Sequence, residues 1–293
     1  MDLSGIIVPM ATPTERGTGE IDEARLARFT DSLIEGGVQG LFPGSSIGEF
    51  PSLTAEQNRT VIEIVAETAD SVPVFAGCGD TIVGGVLGKI EVAAAAGADV
   101  AVVVTPYYLD TTQAGLERFF TGVADRSSLP VVLYNIPPLT GNTIDVRTVG
   151  TLVEHERIVG LKDTSGDLTY HHRVNERTPG DFAVFQGATE LGVASLELGA
   201  DGLIAGPANV FPERLTRLYD AYESSEHDVV SRLMNRTVAP MVSAMDDLPT
   251  AAAIKHLVAV RTFDIGSPLP PLPTLTDSER DRLEETYQEI LDA

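Results

Sequence analysis

The 293-residue chain carries 43 acidic against 20 basic side chains, a formal net charge of −23 at pH 7. That balance excludes a nucleic-acid partner, since phosphates are recognised by a basic footprint. No apolar run reaches the roughly 18 residues of a membrane span, and one cysteine, Cys78, excludes an internal disulfide framework and a cysteine-built zinc cluster.

In chain order, short apolar runs recur at 5–10, 38–43, 72–76, 99–105, 130–135, 157–162, 182–186 and 202–206. Helix-like stretches separate them, so the pattern reads as repeated strand–helix units with parallel pairing. The runs are continuous rather than alternating, as expected of strands covered on both faces. EGGVQGLF, AGADVAVVV and LGADGLIAG each end a helix on glycine and enter a strand. Thr54, Asp145 and Thr189 are read as helix starts. Eight units fill residues 1–224, and 227–263 and 276–292 read as further helices joined by the proline-rich GSPLPPLPTLT. The expectation is a (β/α)8 TIM barrel over 1–224 with a C-terminal helical extension over 225–293. A doubly wound open sheet has the same local pattern and stays open as the alternative. The N-terminal MDLSGIIVPMATP has no basic start and no long apolar stretch, so no signal peptide is read and the cytosol is the expected compartment.

In a parallel barrel the strand ends and the loops after them build the active site. Lys162, one of three lysines beside Lys89 and Lys255, ends the sixth run in VGLKDTSGD. A lysine held away from water can lose its proton near neutral pH. The neutral amine then attacks a ketone to form a Schiff base, an electron sink. Taken alone, such a lysine is more often one that snorkels to solvent or pairs with an acid such as Asp163. Tyr134 is expected at the same level on the neighbouring strand, where a phenol can relay protons. The GSSIGE turn offers hydroxyls and backbone N–H groups as a cradle for a carboxylate.

Dispersed acid with almost no lysine resembles proteins of salt-accumulating halophiles, in which molar salt screens self-repulsion. PGSSIGEFPSLT, VTPYY, YNIPPLTG, GLKDTSGD and GADGLIAGPANV, together and in this order, resemble the pyruvate-dependent class I aldolase family. That family includes dihydrodipicolinate synthase, N-acetylneuraminate lyase and the archaeal 2-keto-3-deoxygluconate aldolases. The resemblance implies pyruvate bound as a Schiff base on Lys162, with Tyr134 as proton relay and no metal or other cofactor. It implies a hydroxyl and amides of the turn, from Ser45, Ser46, Ile47 and Gly48, on the pyruvate carboxylate. Ile47 interrupts the family's usual adjacent hydroxyls before GE, so Ser46 is favoured with Ser45 close behind. Ile204 would line the pyruvate pocket, and Tyr108 would reach the neighbouring subunit's site in a homotetramer built as a dimer of dimers.

Dihydrodipicolinate synthases resemble YN(V/I)P-x-R-TG, and the arginine position is Leu139 here. An arginine–carboxylate pair is charge-assisted, and leucine cannot replace it. Gly187, Thr189 and Glu190 of QGATE, with Thr164 after the lysine, suit a polyol, although Glu190 can equally serve its own helix dipole. After PYY stand Leu109 and Asp110, not a cation, so a non-phosphorylated 2-keto-3-deoxy sugar acid, cleaved to pyruvate and an aldehyde, is the expected substrate. Dihydrodipicolinate synthase and N-acetylneuraminate lyase chemistry remain alternatives, as does a silent keto-acid-binding paralogue, which only Ile47 encourages. His171 and His172 are read as surface residues pointing apart on a helix, Cys78 as a packed residue without an activating histidine, and SPLPPLP as a stiff connector.

Overall fold

Each apolar run overlaps a strand. They are β1 (Gly5–Pro9), β2 (Gly40–Phe42), β3 (Phe75–Gly77), β4 (Val100–Val104), β5 (Val131–Asn135), β6 (Ile158–Asp163), β7 (Ala183–Gln186) and β8 (Gly202–Ile204). The computed structural model describes residues 3–70 and 72–293; Met1 and Asp2 of the N-terminal reading lie outside the described residues, as does Ser71. β3 begins later than expected, after Pro73, which has no N–H for a sheet ladder.

The strand order is β2-β1-β8-β7-β6-β5-β4-β3, and the pairs are parallel. β3 to β8 each neighbour the next in sequence, β8 neighbours β1, and β1 neighbours β2. That cyclic order is a (β/α)8 barrel; a doubly wound sheet reverses its order at a switch point instead. The open-sheet alternative is therefore excluded.

The chain packs as two compact units. The first comprises Met1–Gly5 and Pro73–Ile204. It carries β3 to β8, with helices Val83–Ala95, Gln113–Ala124, Val146–Leu152, Leu168–Asn175 and Gly192–Glu197 between them. Its strand residues are almost all buried, and Phe75 and Phe185 meet edge to face with centroids 6.1 Å apart. The second unit comprises Ile6–Val72 and Ala205–Ala293. Here Thr54 starts helix Ala55–Thr68 with a reciprocal capping box to Gln57. Thr276 does the same with Glu279 for helix Asp277–Asp292. Tyr287 of that last helix stacks on Phe211 at 5.3 Å.

The glycine repeat has a conformational cause. Gly37, Gly97 and Gly199 stand at φ of 80°, 93° and 94°, each ending its helix in the left-handed region where side chains are strained. Other expectations need correction. The 227–263 stretch is not one helix: His227–Leu233, a π-helical turn Met234–Val238 and Ala239–Met245 precede a break, and Thr250–Arg261 restarts after Pro249. Thr189 is the first residue of a 3-10 turn, Thr189–Leu191, that Ala188 precedes without a side-chain cap. Asp145 does precede helix Val146–Leu152 but makes no capping hydrogen bond.

Candidate active site

Parallel register sets Tyr134 of β5 beside Lys162 of β6, and Lys162 beside Phe185 of β7. Strand alternation puts these three on one face and the next row, Asn135, Asp163 and Gln186, on the other. Lys162 is 5% exposed, and its Nζ lies over the Tyr134 ring, 4.1 Å from the centroid. The amine therefore sits against the face of the phenol ring.

Gly187 makes room for this lysine. A Cβ at position 187 would stand 2.0 Å from Thr164 Oγ1 and 2.8 Å from Lys162 Cε. The Thr164 hydroxyl oxygen is buried and has no hydrogen-bond partner among the described residues. A buried polar atom of that kind is a natural acceptor or donor for a substrate hydroxyl. Gly187→Ala is expected to slow borohydride capture of pyruvate on Lys162 by about 10- to 100-fold, while the circular dichroism melt stays within a few degrees of the parent. An unchanged capture rate would show that the crowding is absorbed elsewhere.

A buried network backs the lysine on the opposite face of the sheet. Asn135 Nδ2 donates to Asp163 Oδ1 at 3.0 Å, and the Ser165 N–H and hydroxyl donate to the two Asp163 oxygens, each at 3.0 Å. Asn135 Oδ1 accepts the Ile144 N–H at 3.1 Å. His171 belongs to this cluster and is not a surface residue: it is fully buried, with Nδ1 3.7 Å from Asp163 Oδ2. The helix Leu168–Asn175 buries His171 and Val174, three residues apart, and leaves His172 partly exposed. Tyr170, on the same helix, donates to the Ile144 carbonyl at 2.7 Å, and burial pushes its phenol well above its ordinary range. Sequence reading missed Asn135, Asp163 and Tyr170 as supports. Asn135 and Asp163 were signalled only by their position directly after Tyr134 and Lys162, and Tyr170 only by its place on the helix that follows.

In the second unit, the residues of GSSIGE form a tight turn after β2. Ser45 is buried, and its Oγ accepts the Gly48 N–H at 3.1 Å. The Thr12 hydroxyl donates to the Gly48 carbonyl at 2.8 Å. A Cβ on Gly48 would stand 2.8 Å from the Met10 carbonyl oxygen, so only glycine fits. Ser46 and Ile47 are half-buried, and among the described residues the Ser46 hydroxyl makes no hydrogen bond. Ile47 Cδ1 would be 2.9 Å from a Cβ on Gly206, in the loop after β8.

The remaining candidates differ in exposure. Ile204 ends β8 and is 1% exposed, and Thr189 is buried, whereas Glu190 is exposed in the first turn of its 3-10 segment. Tyr108 is 93% exposed with φ 77°. Cys78 is wholly buried, and burial pushes its thiol up to about 12, which keeps it protonated and unreactive.

Residues 2–290 match the Dihydrodipicolinate synthetase family. The chain belongs to that family. It is 35% identical to a 4-hydroxy-tetrahydrodipicolinate synthase of Staphylococcus saprophyticus over 98% of this chain and 96% of the relative. It is 32% identical to an uncharacterized DapA-like lyase of Halobacterium salinarum over 99% and 95%. YagE, a prophage protein of the same family from E. coli K12, was solved in complex with pyruvate. It superposes with a TM-score of 0.94 at 30% identity over 99% of both chains. Members of the dihydrodipicolinate synthetase family join pyruvate to a lysine as a Schiff base and use no metal. The protein is accordingly an enzyme, a pyruvate-dependent class I aldolase of the carbon–carbon lyase type.

Proposed function

We propose that the enzyme cleaves, or in reverse forms, a non-phosphorylated 2-keto-3-deoxy sugar acid. The Lys162 amine attacks the C2 ketone and water leaves, with Tyr134 passing the protons. The iminium accepts the electron pair of the C3–C4 bond as it breaks, and an aldehyde departs. The enamine is protonated at C3 and hydrolysed to pyruvate, which frees Lys162. Ser46 and the amide of Ile47 form the carboxylate cradle, with Ser45 and the Gly48 amide bonded to it shaping the turn behind them, and Ile204 along the pyruvate. Thr164, Thr189 and Glu190 are assigned to the substrate's hydroxyls.

Leu139 carries the substrate choice. It stands 66% exposed after β5, at the position that would bear an arginine for an aldehyde's carboxylate. With pyruvate and a panel of aldehydes, glyceraldehyde-type acceptors are expected to outpace aspartate semialdehyde by about 100-fold or more in kcat/KM. Leu139→Arg should narrow that gap by about tenfold. Relatives at 34 and 35% identity are named 4-hydroxy-tetrahydrodipicolinate synthases, so that reaction is kept as the alternative. Condensation with aspartate semialdehyde alone would establish it and end the sugar-acid assignment.

The charge of −23 supports work in a salt-rich cytosol. Exposed Ile82, Tyr108 and Leu109, at 63, 93 and 72%, support assembly as a homotetramer. Residues 225–293 are assigned to a helical extension of the barrel. Sedimentation in molar potassium chloride should give about four times the 31.1 kDa chain mass. The melting midpoint should fall when salt is removed, and a salt-independent monomer would contradict both assignments.

A further inference from the structure

Lysine is nearly absent from this chain, yet one of the three is buried far from Lys162 in sequence. Lys255, on helix Thr250–Arg261, is 1% exposed, and its Nζ lies 2.7 Å from Glu49 Oε1, a carboxylate with no exposed surface. Lys255 also donates to the Ser267 carbonyl at 3.0 Å and the Thr14 hydroxyl at 3.3 Å. The second Glu49 oxygen accepts the Leu269 N–H at 2.6 Å.

Glu49 is the last residue of GSSIGE. It stands at φ 60°, left-handed backbone that a non-glycine residue occupies only when its surroundings hold it there. Its own N–H donates to the Ser46 carbonyl at 3.1 Å, and the Phe50 N–H donates to that of Ser45 at 3.3 Å. The carboxylate thus pins the end of the turn whose preceding residues are Ser45 to Gly48. Burial pushes the Lys255 ammonium below its ordinary range, with Glu49 opposing. An apolar pair of similar volume serves a fold about as well as a buried ion pair, so the charge serves geometry.

We infer that Lys255 is a positioning residue: through Glu49 it holds the 45–48 turn in the shape that receives the keto acid's carboxylate. This rests on the assignment of that turn as the carboxylate cradle. Acetone separates the roles, because it offers the same methyl ketone without the carboxylate. Half-saturating concentrations for borohydride capture on Lys162 would be measured with pyruvate and with acetone in the full-length parent, Lys255→Met, Lys255→Arg and Glu49→Gln.

Lys255→Met and Glu49→Gln are expected to need about tenfold more pyruvate. Acetone should shift by no more than about twofold, and Lys255→Arg should lie within about threefold of the parent for both. Equal shifts for the two ketones, or no shift, in a variant with an intact circular dichroism spectrum overturn the inference. If the parent captures acetone and pyruvate equally well, the cradle assignment itself is wrong. Should Lys255→Met not fold, Thr14→Val decides: it removes one acceptor from the ammonium and should raise the pyruvate requirement alone by about threefold, and no rise overturns the inference.

Discussion

Lys162→Ala lowers aldolase turnover by about 10⁴-fold or more and abolishes the borohydride adduct on the peptide that carries residue 162. The size follows from the chemistry: without an amine on C2 there is no iminium to take the electrons of the breaking bond. Neither remaining lysine can stand in. Lys89 Nζ lies 3.1 Å from Asp80 Oδ2 and donates to the Gly79 carbonyl, and Lys255 is held by Glu49. Intact-protein mass after reduction with pyruvate checks the adduct, and steady-state release of pyruvate checks turnover. Substantial turnover in the alanine variant would remove the Schiff base from the mechanism.

The second large effect is on stability. Glu49→Gln and Lys255→Met each leave a buried group without its counter-charge and are expected to cost about 3–5 kcal/mol in denaturant unfolding. The double variant Glu49→Leu with Lys255→Met should recover most of that, short of about 1–3 kcal/mol for the Leu269 N–H left without an acceptor. Additive losses in the double variant would mean that the two side chains do not act as a pair. The effect should persist in molar potassium chloride, where an exposed pair such as Arg217–Glu226, 2.5 Å apart, is screened.

Burial holds Lys255 below its ordinary value of 10.5. Between the depressed value and 10.5 the unfolded chain binds more protons at this site than the folded one. The contribution of Lys255 to stability therefore rises with pH across that window. In Lys255→Met this rise should vanish, so the stability difference between the two proteins over alkaline pH isolates it.

The local pattern alone located the eight strands, the glycines that close three helices, and the helix start at Thr54. Each of these is decided by side chains within a few residues, so a linear reading reaches them. The pairing of Tyr134 with Lys162 was legible too, because two parallel strands ending at the same level place their last inward residues side by side. The same reading put His171 on the surface, since adjacent histidines on a helix point apart without saying which of the two faces the sheet. It also placed a helix start at Thr189 and ran a helix through Pro249. In these places packing and backbone chemistry overrode a local preference. Tertiary structure decided that the strands are arranged cyclically, because open and closed parallel sheets bury the same apolar runs. It separated the two serines, giving the Ser45 hydroxyl to the Gly48 amide and leaving that of Ser46 without a hydrogen-bond partner among the described residues. It alone joined Glu49 to Lys255, because an ion pair between residues so distant in sequence leaves no periodicity or motif in the chain and exists only once both charges are enclosed together.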